Sequence, residues 1–176
     1  TRRSSDLLED KILSTFDESL NVKRNATPAL AGFYSSLDEY EKSLKNTVSS
    51  LMSDSNFSKY LQENIYTTRD DRIVFQVSAP SKNIVRGIIH DVSASGKSFY
   101  IEPEQIIPLN NRIREIKSHI NAEIIRILSD LTSKIRENIE NFIVSIDKGN
   151  FCDCIFSFDL PTISFIISLI KKMLKT

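Results

Sequence analysis

The chain lacks an excess of charge of either sign. Its 176 residues include 23 Lys and Arg residues and 23 Asp and Glu residues, so the formal net charge at pH 7 is zero. A protein without net charge has no global electrostatic field that would draw it to nucleic acid or to an anionic membrane. Any such contact must therefore come from a local patch of charge.

Cysteine is scarce, and no long apolar run is present. Cys152 and Cys154 lie too close together for a disulfide framework and are too few for a structural zinc site. Reduced thiols indicate a cytoplasmic protein. The apolar stretch at 163–170 is too short to cross a bilayer, so no membrane partner is expected. The first residues carry neither the apolar run of a signal peptide nor an initiator Met, so we expect a segment of a longer protein.

A phosphate-binding loop is incomplete in this sequence. Gly96-Lys97-Ser98 matches the end of the pattern Gly-x-x-x-x-Gly-Lys-Ser/Thr, but the first glycine would fall at Asp91. A carboxylate at that position would repel the phosphates that the loop must bind. A P-loop also joins a strand to a helix, whereas residues 98–101 have the pattern of a second strand. We therefore predict a hairpin turn, with no ATP site.

Two long stripes of apolar residues recur at alternating steps of three and four, which is typical of amphipathic helices. The first stripe follows Thr27 and Pro28, an N-cap and a first-turn proline, and runs to about Ser53. The second follows Pro108 and ends at Gly149. About forty helical residues span roughly 60 Å, too long for one compact domain, so we expect an antiparallel pair of helices. A shorter helix is predicted near the N-terminus, ending around residue 18.

β-prone residues fill the region between the two stripes. Residues 73–77, 84–92 and 98–101 are separated by turns, which predicts three to four antiparallel strands. The predicted fold is α+β and mainly α, with long antiparallel helical arms and a small antiparallel β-sheet at the tip. Its predicted parts are N-terminal helices and first arm (1–56), clamp-like β tip (57–104), return helix (105–149) and C-terminal helical segment (150–176). The periodicity alone fits a plain helical bundle with a β insert equally well.

The sequence offers no convincing catalytic group. His90 stands beside Asp91, but the pair has no evident nucleophile or metal partner, and a strand-end histidine next to a turn aspartate is the simpler interpretation. Ser93, Ser95 and Ser98 lack an evident general base. We predict no catalytic residue, metal site or cofactor for this chain.

Basic side chains collect in the predicted β tip. They are Arg69, Arg72, Lys82, Arg86 and Lys97. A slight basic excess on a protruding element suits phosphate contact without base recognition. The alternating signs at residues 69–72 fit a self-neutralised surface equally well.

The stretch from Gly87 to Asn111 resembles a segment of the bacterial MutS type-two family. The family pattern is Gly-Ile-x-His-Asp-x-Ser-x-Ser-Gly-x-(Ser/Thr)-x-(Phe/Tyr)-Ile-Glu-Pro, followed by Leu-Asn-Asn and a long charged helix. The matching positions are Gly87, His90, Asp91, Ser93, Ser95, Gly96, Ile101, Glu102, Pro103, Leu109, Asn110 and Asn111. Residues 26–30 and 66–77 resemble further family segments, and the resemblance extends over roughly residues 7–148.

This resemblance implies a non-catalytic lever and clamp segment. The parent protein would be a dimeric ATPase that binds ATP and Mg²⁺ in a separate domain, often with a Smr nuclease domain. Its implied partners are duplex or branched DNA, in the suppression of homologous recombination, or rRNA, in the splitting of collided ribosomes. In the mechanism that we expect, the ATP state moves the long helices and so opens or closes the tip. The alternative is a dimerisation or protein-interaction module without nucleic-acid contact.

Overall fold

The computed structural model describes residues 4–147. In chain order these form α1 (Ser4–Thr15), α2 (Pro28–Ser53), α3 (Ser55–Ser58), β1 (Leu61–Arg69), β2 (Arg72–Ser78), β3 (Gly87–Val92), β4 (Ser98–Pro103) and α4 (Ile107–Asp147). The predicted α+β class with a helical majority is confirmed. The segment predicted at 150–176, with Cys152, Cys154 and the apolar stretch at 163–170, lies outside the described residues.

The long helices begin where the sequence predicts. The Thr27 hydroxyl accepts a hydrogen bond from the backbone N–H of Leu30 at 3.1 Å, and Pro28 opens α2. Such a cap satisfies one of the donors that the first helical turn leaves without a partner. Helix α4 starts one residue before Pro108, and a proline in the first turn removes no intrahelical hydrogen bond.

Helix α1 ends at Thr15, about three residues earlier than predicted. The cause is local competition for backbone hydrogen bonds. The Asp17 carboxylate accepts from the backbone N–H groups of Ser19 at 2.9 Å and Asn21 at 2.8 Å, which folds the chain into a turn. Lys23 then donates to the carbonyl of Leu13 at 2.8 Å, which satisfies an acceptor at the end of the helix.

The chain divides into two compact units. Among the described residues, one comprises residues 4–31 with 121–147, and the other comprises Gly32–Ile120, so α2 and α4 each contribute to both. Buried apolar residues of the first unit include Leu8, Ile12, Leu30, Ile127 and Leu131.

The second unit contains α3, the sheet, and the adjoining parts of α2 and α4. In it the Phe33 ring lies 5.5 Å from the His119 ring, and Glu41 Oε1 lies 4.0 Å from Lys117 Nζ. The contact closer to the C-terminus of α2 is made by the residue closer to the N-terminus of α4. The two helices are therefore antiparallel within this unit.

The sheet has four antiparallel strands in the order β1-β2-β4-β3, and the predicted three to four strands are thereby confirmed. Phe75 pairs with Ile101, and both side chains are fully buried. The Phe57 ring of α3 packs edge-on against Phe75 at 5.1 Å. Strand β3 begins at Gly87 and not at residue 84, because the backbone N–H groups of Ile84 and Val85 donate to the Ser81 carbonyl in a turn.

The turn between β1 and β2 is strained. Asp70 and Asp71 both have left-handed backbones, with φ of 48° and 61°. Two consecutive residues with positive φ form the type I′ geometry, in which Asn-Gly is favoured.

We expect Asp70→Asn with Asp71→Gly to raise the free energy of unfolding by about 1 kcal/mol in urea denaturation, because glycine relieves the steric cost at the second position. A lower free energy of unfolding would show that the carboxylates stabilise the turn more than its backbone strain destabilises it.

A pH-dependent contact lies in the first unit. Glu123 accepts hydrogen bonds from Arg126 and Thr27, both at 2.8 Å, and these interactions lower the pKa of Glu123 from 4.5 to about 2. Because the folded-state pKa is depressed, the stabilisation is present above pH 4.5 and is lost as the pH falls toward 2.

We expect Thr27→Val to raise the pKa of Glu123 in an NMR titration of its carboxyl carbon. The matched control is Thr132→Val, because the Thr132 hydroxyl bonds only the Leu128 carbonyl of its own helix. An equal shift of the Glu123 pKa in both variants would contradict the assignment of the Thr27 hydrogen bond as a cause of the lowered pKa.

Candidate nucleic-acid interface

A buried carboxylate organises the sheet and the start of α4. The Glu102 side chain is 0% exposed. Its two oxygens accept hydrogen bonds from Arg72 Nη1 at 2.9 and 3.1 Å, and Oε1 also accepts from Asn110 Nδ2 at 2.8 Å. His90 Nε2 lies 2.7 Å from Oε2. The carboxylate is thus fully partnered, which is the condition for burying a charge without a large energetic penalty.

Two consecutive asparagines near the start of α4 extend this cluster. Asn110 Nδ2 also donates to the Ile73 carbonyl at 3.2 Å, and its Oδ1 accepts from the Ile73 N–H at 3.4 Å. Asn111 Oδ1 accepts from Arg72 Nη2 at 2.6 Å. We call Arg72, His90, Glu102, Asn110 and Asn111 the Glu102 cluster. Through it, side chains of α4 and of three strands share one set of hydrogen bonds.

Two glycines of the motif have separate structural roles. Gly87 pairs with Pro103, and a Cβ atom at Gly87 would lie 2.1 Å from the Glu102 carbonyl oxygen, so only glycine fits there. Gly96 has φ of 69° in the turn between β3 and β4, a conformation that glycine adopts without steric cost. The Ser93 hydroxyl accepts from the Ser98 N–H at 3.1 Å across this turn. The Gly96-Lys97-Ser98 segment is therefore the predicted hairpin turn between two antiparallel strands.

The predicted phosphate-binding cations occupy three kinds of environment. Arg72 belongs to the Glu102 cluster and is only 15% exposed, and its Nη1 and Nη2 atoms already donate to Glu102 and Asn111. Arg69 stacks over the Tyr100 ring at 4.4 Å and lies 3.8 Å from Asp91. Lys82 Nζ lies 4.9 Å above the Phe99 ring, and Arg86 and Lys97 are exposed. The phosphate contact predicted for Arg72 stays a prediction, although its guanidinium bonds the buried carboxylate of Glu102.

Two further observations concern the described part of the chain. It contains no group of three or more His, Cys, Asp or Glu side chains placed to hold a metal ion. Within residues 4–147, no helix combines the length and the apolar character needed to cross a membrane.

Comparison with known proteins finds several similar sequences. No protein-family model matches the chain. It is 41% identical over 132 residues to the endonuclease MutS2 of Clostridium kluyveri, an alignment that covers 75% of this chain and 16% of that protein. It is 34% identical over 154 residues to the endonuclease MutS2 of Acetivibrio thermocellus, covering 88% and 19% respectively. The MutS2 of Clostridium botulinum is 39% identical over 132 residues, 75% of this chain and 16% of that protein.

The chain is a homologue of the MutS2 proteins. The resemblance predicted from the stretch between Gly87 and Asn111 is confirmed. The aligned part spans only 16% to 19% of these MutS2 relatives, so the chain corresponds to a segment of them.

In this homologue of MutS2 the motif residues separate into structural and surface groups. His90, Glu102, Asn110 and Asn111 form the Glu102 cluster, while Asp91 and Ser95 are exposed near the turn. Sequence reasoning did not identify the cluster. The signal in the sequence was Glu102 itself, which directly follows the strand residues Phe99, Tyr100 and Ile101. A carboxylate at a core position requires cationic or hydrogen-bonding partners.

Proposed function

We propose that this chain is a non-catalytic lever and clamp segment of a MutS2 protein and that its sheet contacts the phosphate backbone of nucleic acid. The observation that supports this is the pairing of charges around β3 and β4. Glu102 is neutralised inside the protein by Arg72, and Asp91 is paired with Arg69. Lys82, Arg86 and Lys97 then remain as exposed cations around β3 and β4, against the exposed carboxylate of Glu104 beside Arg86, which leaves a small local positive excess although the whole chain is neutral.

Exposed Lys and Arg side chains on a strand hairpin are suited to backbone contact. They neutralise phosphates and release counterions, which gives affinity without sequence preference. The expected polymers are duplex or branched DNA, or rRNA, and in each the contacted group is the phosphodiester. Endonuclease and ATPase activities, with ATP and Mg²⁺, then belong to other parts of a dimeric, cytoplasmic parent protein.

The Glu102 cluster supports the lever part of the proposal. It joins the first turn of α4 to β2, β3 and β4, so that a displacement of this turn carries the strands with it. The antiparallel contact of α2 with α4 in the same unit adds a second support for the sheet. In the proposed mechanism, a change of nucleotide state in the parent moves α4 and thereby repositions the cations around β3.

Fluorescence anisotropy across a salt series tests the nucleic-acid contact. The probes are a labelled DNA duplex, a four-way DNA junction and an rRNA hairpin. We expect binding that weakens with salt, and we expect Arg86→Glu with Lys97→Glu to reduce the slope of log K against log salt by about 2, one for each lost phosphate contact.

The matched control is Lys42→Glu with Arg114→Glu, two exposed helical cations of the same unit. It changes the net charge by the same amount but leaves the surface around β3 intact, so binding should be retained. Equal loss in the two double variants, or no binding to any probe at low salt, would contradict the proposal. The ratio of affinities for the three probes decides between DNA and rRNA.

A further inference from the structure

Exposed aliphatic side chains concentrate at one edge of the sheet. The described residues include nine large apolar side chains that are exposed, and four of them lie between positions 84 and 92. These are Ile84 at 55%, Ile88 at 47%, Ile89 at 49% and Val92 at 45% exposure. Single exposed aliphatic residues are common on protein surfaces, but four within nine consecutive positions make this segment a candidate interaction site.

The placement of these side chains distinguishes between kinds of partner. Strand β3 stands at the end of the strand order and pairs with β4, so its outer main-chain edge faces no other strand of the described sheet. Ile88 pairs with Glu102 and Ile89 with Ile101, and neighbouring residues of a strand point to opposite faces. A helix or a nucleic-acid groove resting on one face would cover only one of the two. A strand added beside β3 would cover both and would pair with its main-chain N–H and C=O groups.

Charge at the two ends of this edge favours an acidic partner. Arg86 immediately precedes β3, Lys97 lies in the turn that follows it, and both are exposed, with the exposed Glu104 beside Arg86. The exposed carboxylate of the strand, Asp91, is paired with Arg69. The opposite edge is less suited to an acidic partner, because β1 carries the exposed carboxylate of Glu63.

We propose that the outer edge of β3 binds an extended peptide segment of another protein as an added strand. The segment has aliphatic residues at its centre and acidic residues at its ends. A bulge between Ile89 and Asp91 interrupts the regular pairing of β3. Bulges limit edge-to-edge pairing, so the expected interaction is reversible and depends on side-chain and charge contacts as well as on main-chain hydrogen bonds.

NMR of the ¹⁵N-labelled full chain provides the test. The probe is the blocked peptide acetyl-Glu-Val-Thr-Val-Thr-Val-Glu-amide. We expect saturable chemical-shift changes at the amides of residues 87–92. Replacing both Glu residues of the probe with Lys should raise the dissociation constant by at least about tenfold. A tenfold change corresponds to about 1.4 kcal/mol of binding free energy. Replacing its central Val with Pro should abolish binding, because proline cannot donate a main-chain hydrogen bond.

Variants of the protein locate the site. Ile88→Lys with Ile89→Lys should abolish peptide binding, whereas Ile65→Lys, at an equally exposed position on β1, should leave it unchanged. Both variants change surface residues, and far-UV circular dichroism verifies that they fold. Peptide-induced shifts confined to β1, or none at millimolar peptide, would overturn the proposal. Self-association that the Ile88→Lys/Ile89→Lys variant abolishes would also overturn it, because a second copy would then be the occupant.

The peptide site and the phosphate contact share Arg86 and Lys97 but differ in their dependence on the aliphatic residues. Ile88→Lys with Ile89→Lys should leave nucleic-acid affinity undiminished while it removes the peptide. Loss of nucleic-acid binding in this variant would assign the aliphatic edge to the polymer and would overturn the peptide proposal.

Discussion

Replacing Glu102 with alanine should lower the free energy of unfolding by about 3–5 kcal/mol, as is usual when one member of a buried ion pair is removed. The Arg72 guanidinium would lose its carboxylate partner while only 15% exposed, and Asn110 would lose one of its acceptors. Urea denaturation followed by circular dichroism measures the change. The matched control is Glu104→Ala, two residues along the chain and exposed, which should change the free energy by less than about 0.5 kcal/mol.

The same cluster predicts strong coupling between its members. Once Glu102 is gone, Arg72 has no buried carboxylate to neutralise, so Glu102→Ala and Arg72→Ala together should cost clearly less than the sum of the two single changes. Additive costs, or a cost below about 1 kcal/mol for Glu102→Ala, would contradict the assignment of Glu102 as the central buried carboxylate.

Replacing Gly87 with alanine should be nearly as severe. The added Cβ would lie 2.1 Å from the Glu102 carbonyl oxygen and 2.8 Å from its carbonyl carbon. Both are backbone atoms of the neighbouring strand, so relief requires β3 and β4 to separate. We expect the free energy of unfolding to fall by about 3 kcal/mol, at the upper end of the usual cost of overpacking.

Gly32 provides the control for this substitution. It lies within α2, and a Cβ atom there would have no heavy atom within 4 Å. Gly32→Ala should therefore raise the free energy of unfolding by about 1 kcal/mol, since alanine favours a helix interior. Equal effects at the two glycines in the same denaturation assay would mean that the close approach at Gly87 is absent in solution.

The two long helices and the number of strands could be predicted because their signals are local, whereas α3 and β1 lie outside the predicted stretches. Thr27 and Pro28 mark the start of α2 through a cap and a fixed φ, and the apolar stripes depend only on helical periodicity. The beginning of β3 was less predictable, because Ile84 and Val85 have β-prone side chains while their N–H groups bond to Ser81 in a turn.

The Glu102 cluster depends on strand register, which the sequence does not specify locally. Arg72 and Glu102 are thirty positions apart and meet only because β2 lies next to β4. Arg72 consequently had the same sequence signature as Arg86, a cation in a β-rich region, although one is largely buried and the other exposed. The family motif identified His90, Glu102 and the two asparagines together, but their contact required the fold.

The most direct test of the central claim is an NMR map of the surface that contacts nucleic acid. A short DNA duplex, a junction and an rRNA hairpin would each be titrated into the labelled chain at low salt. We expect salt-sensitive shifts at Lys82, Arg86 and Lys97, with the side-chain signals of Arg72 and Asn110 unchanged. Shifts confined to the surfaces of α2 and α4, or no shift with any of the three polymers, would contradict the assignment of the sheet as the nucleic-acid contact.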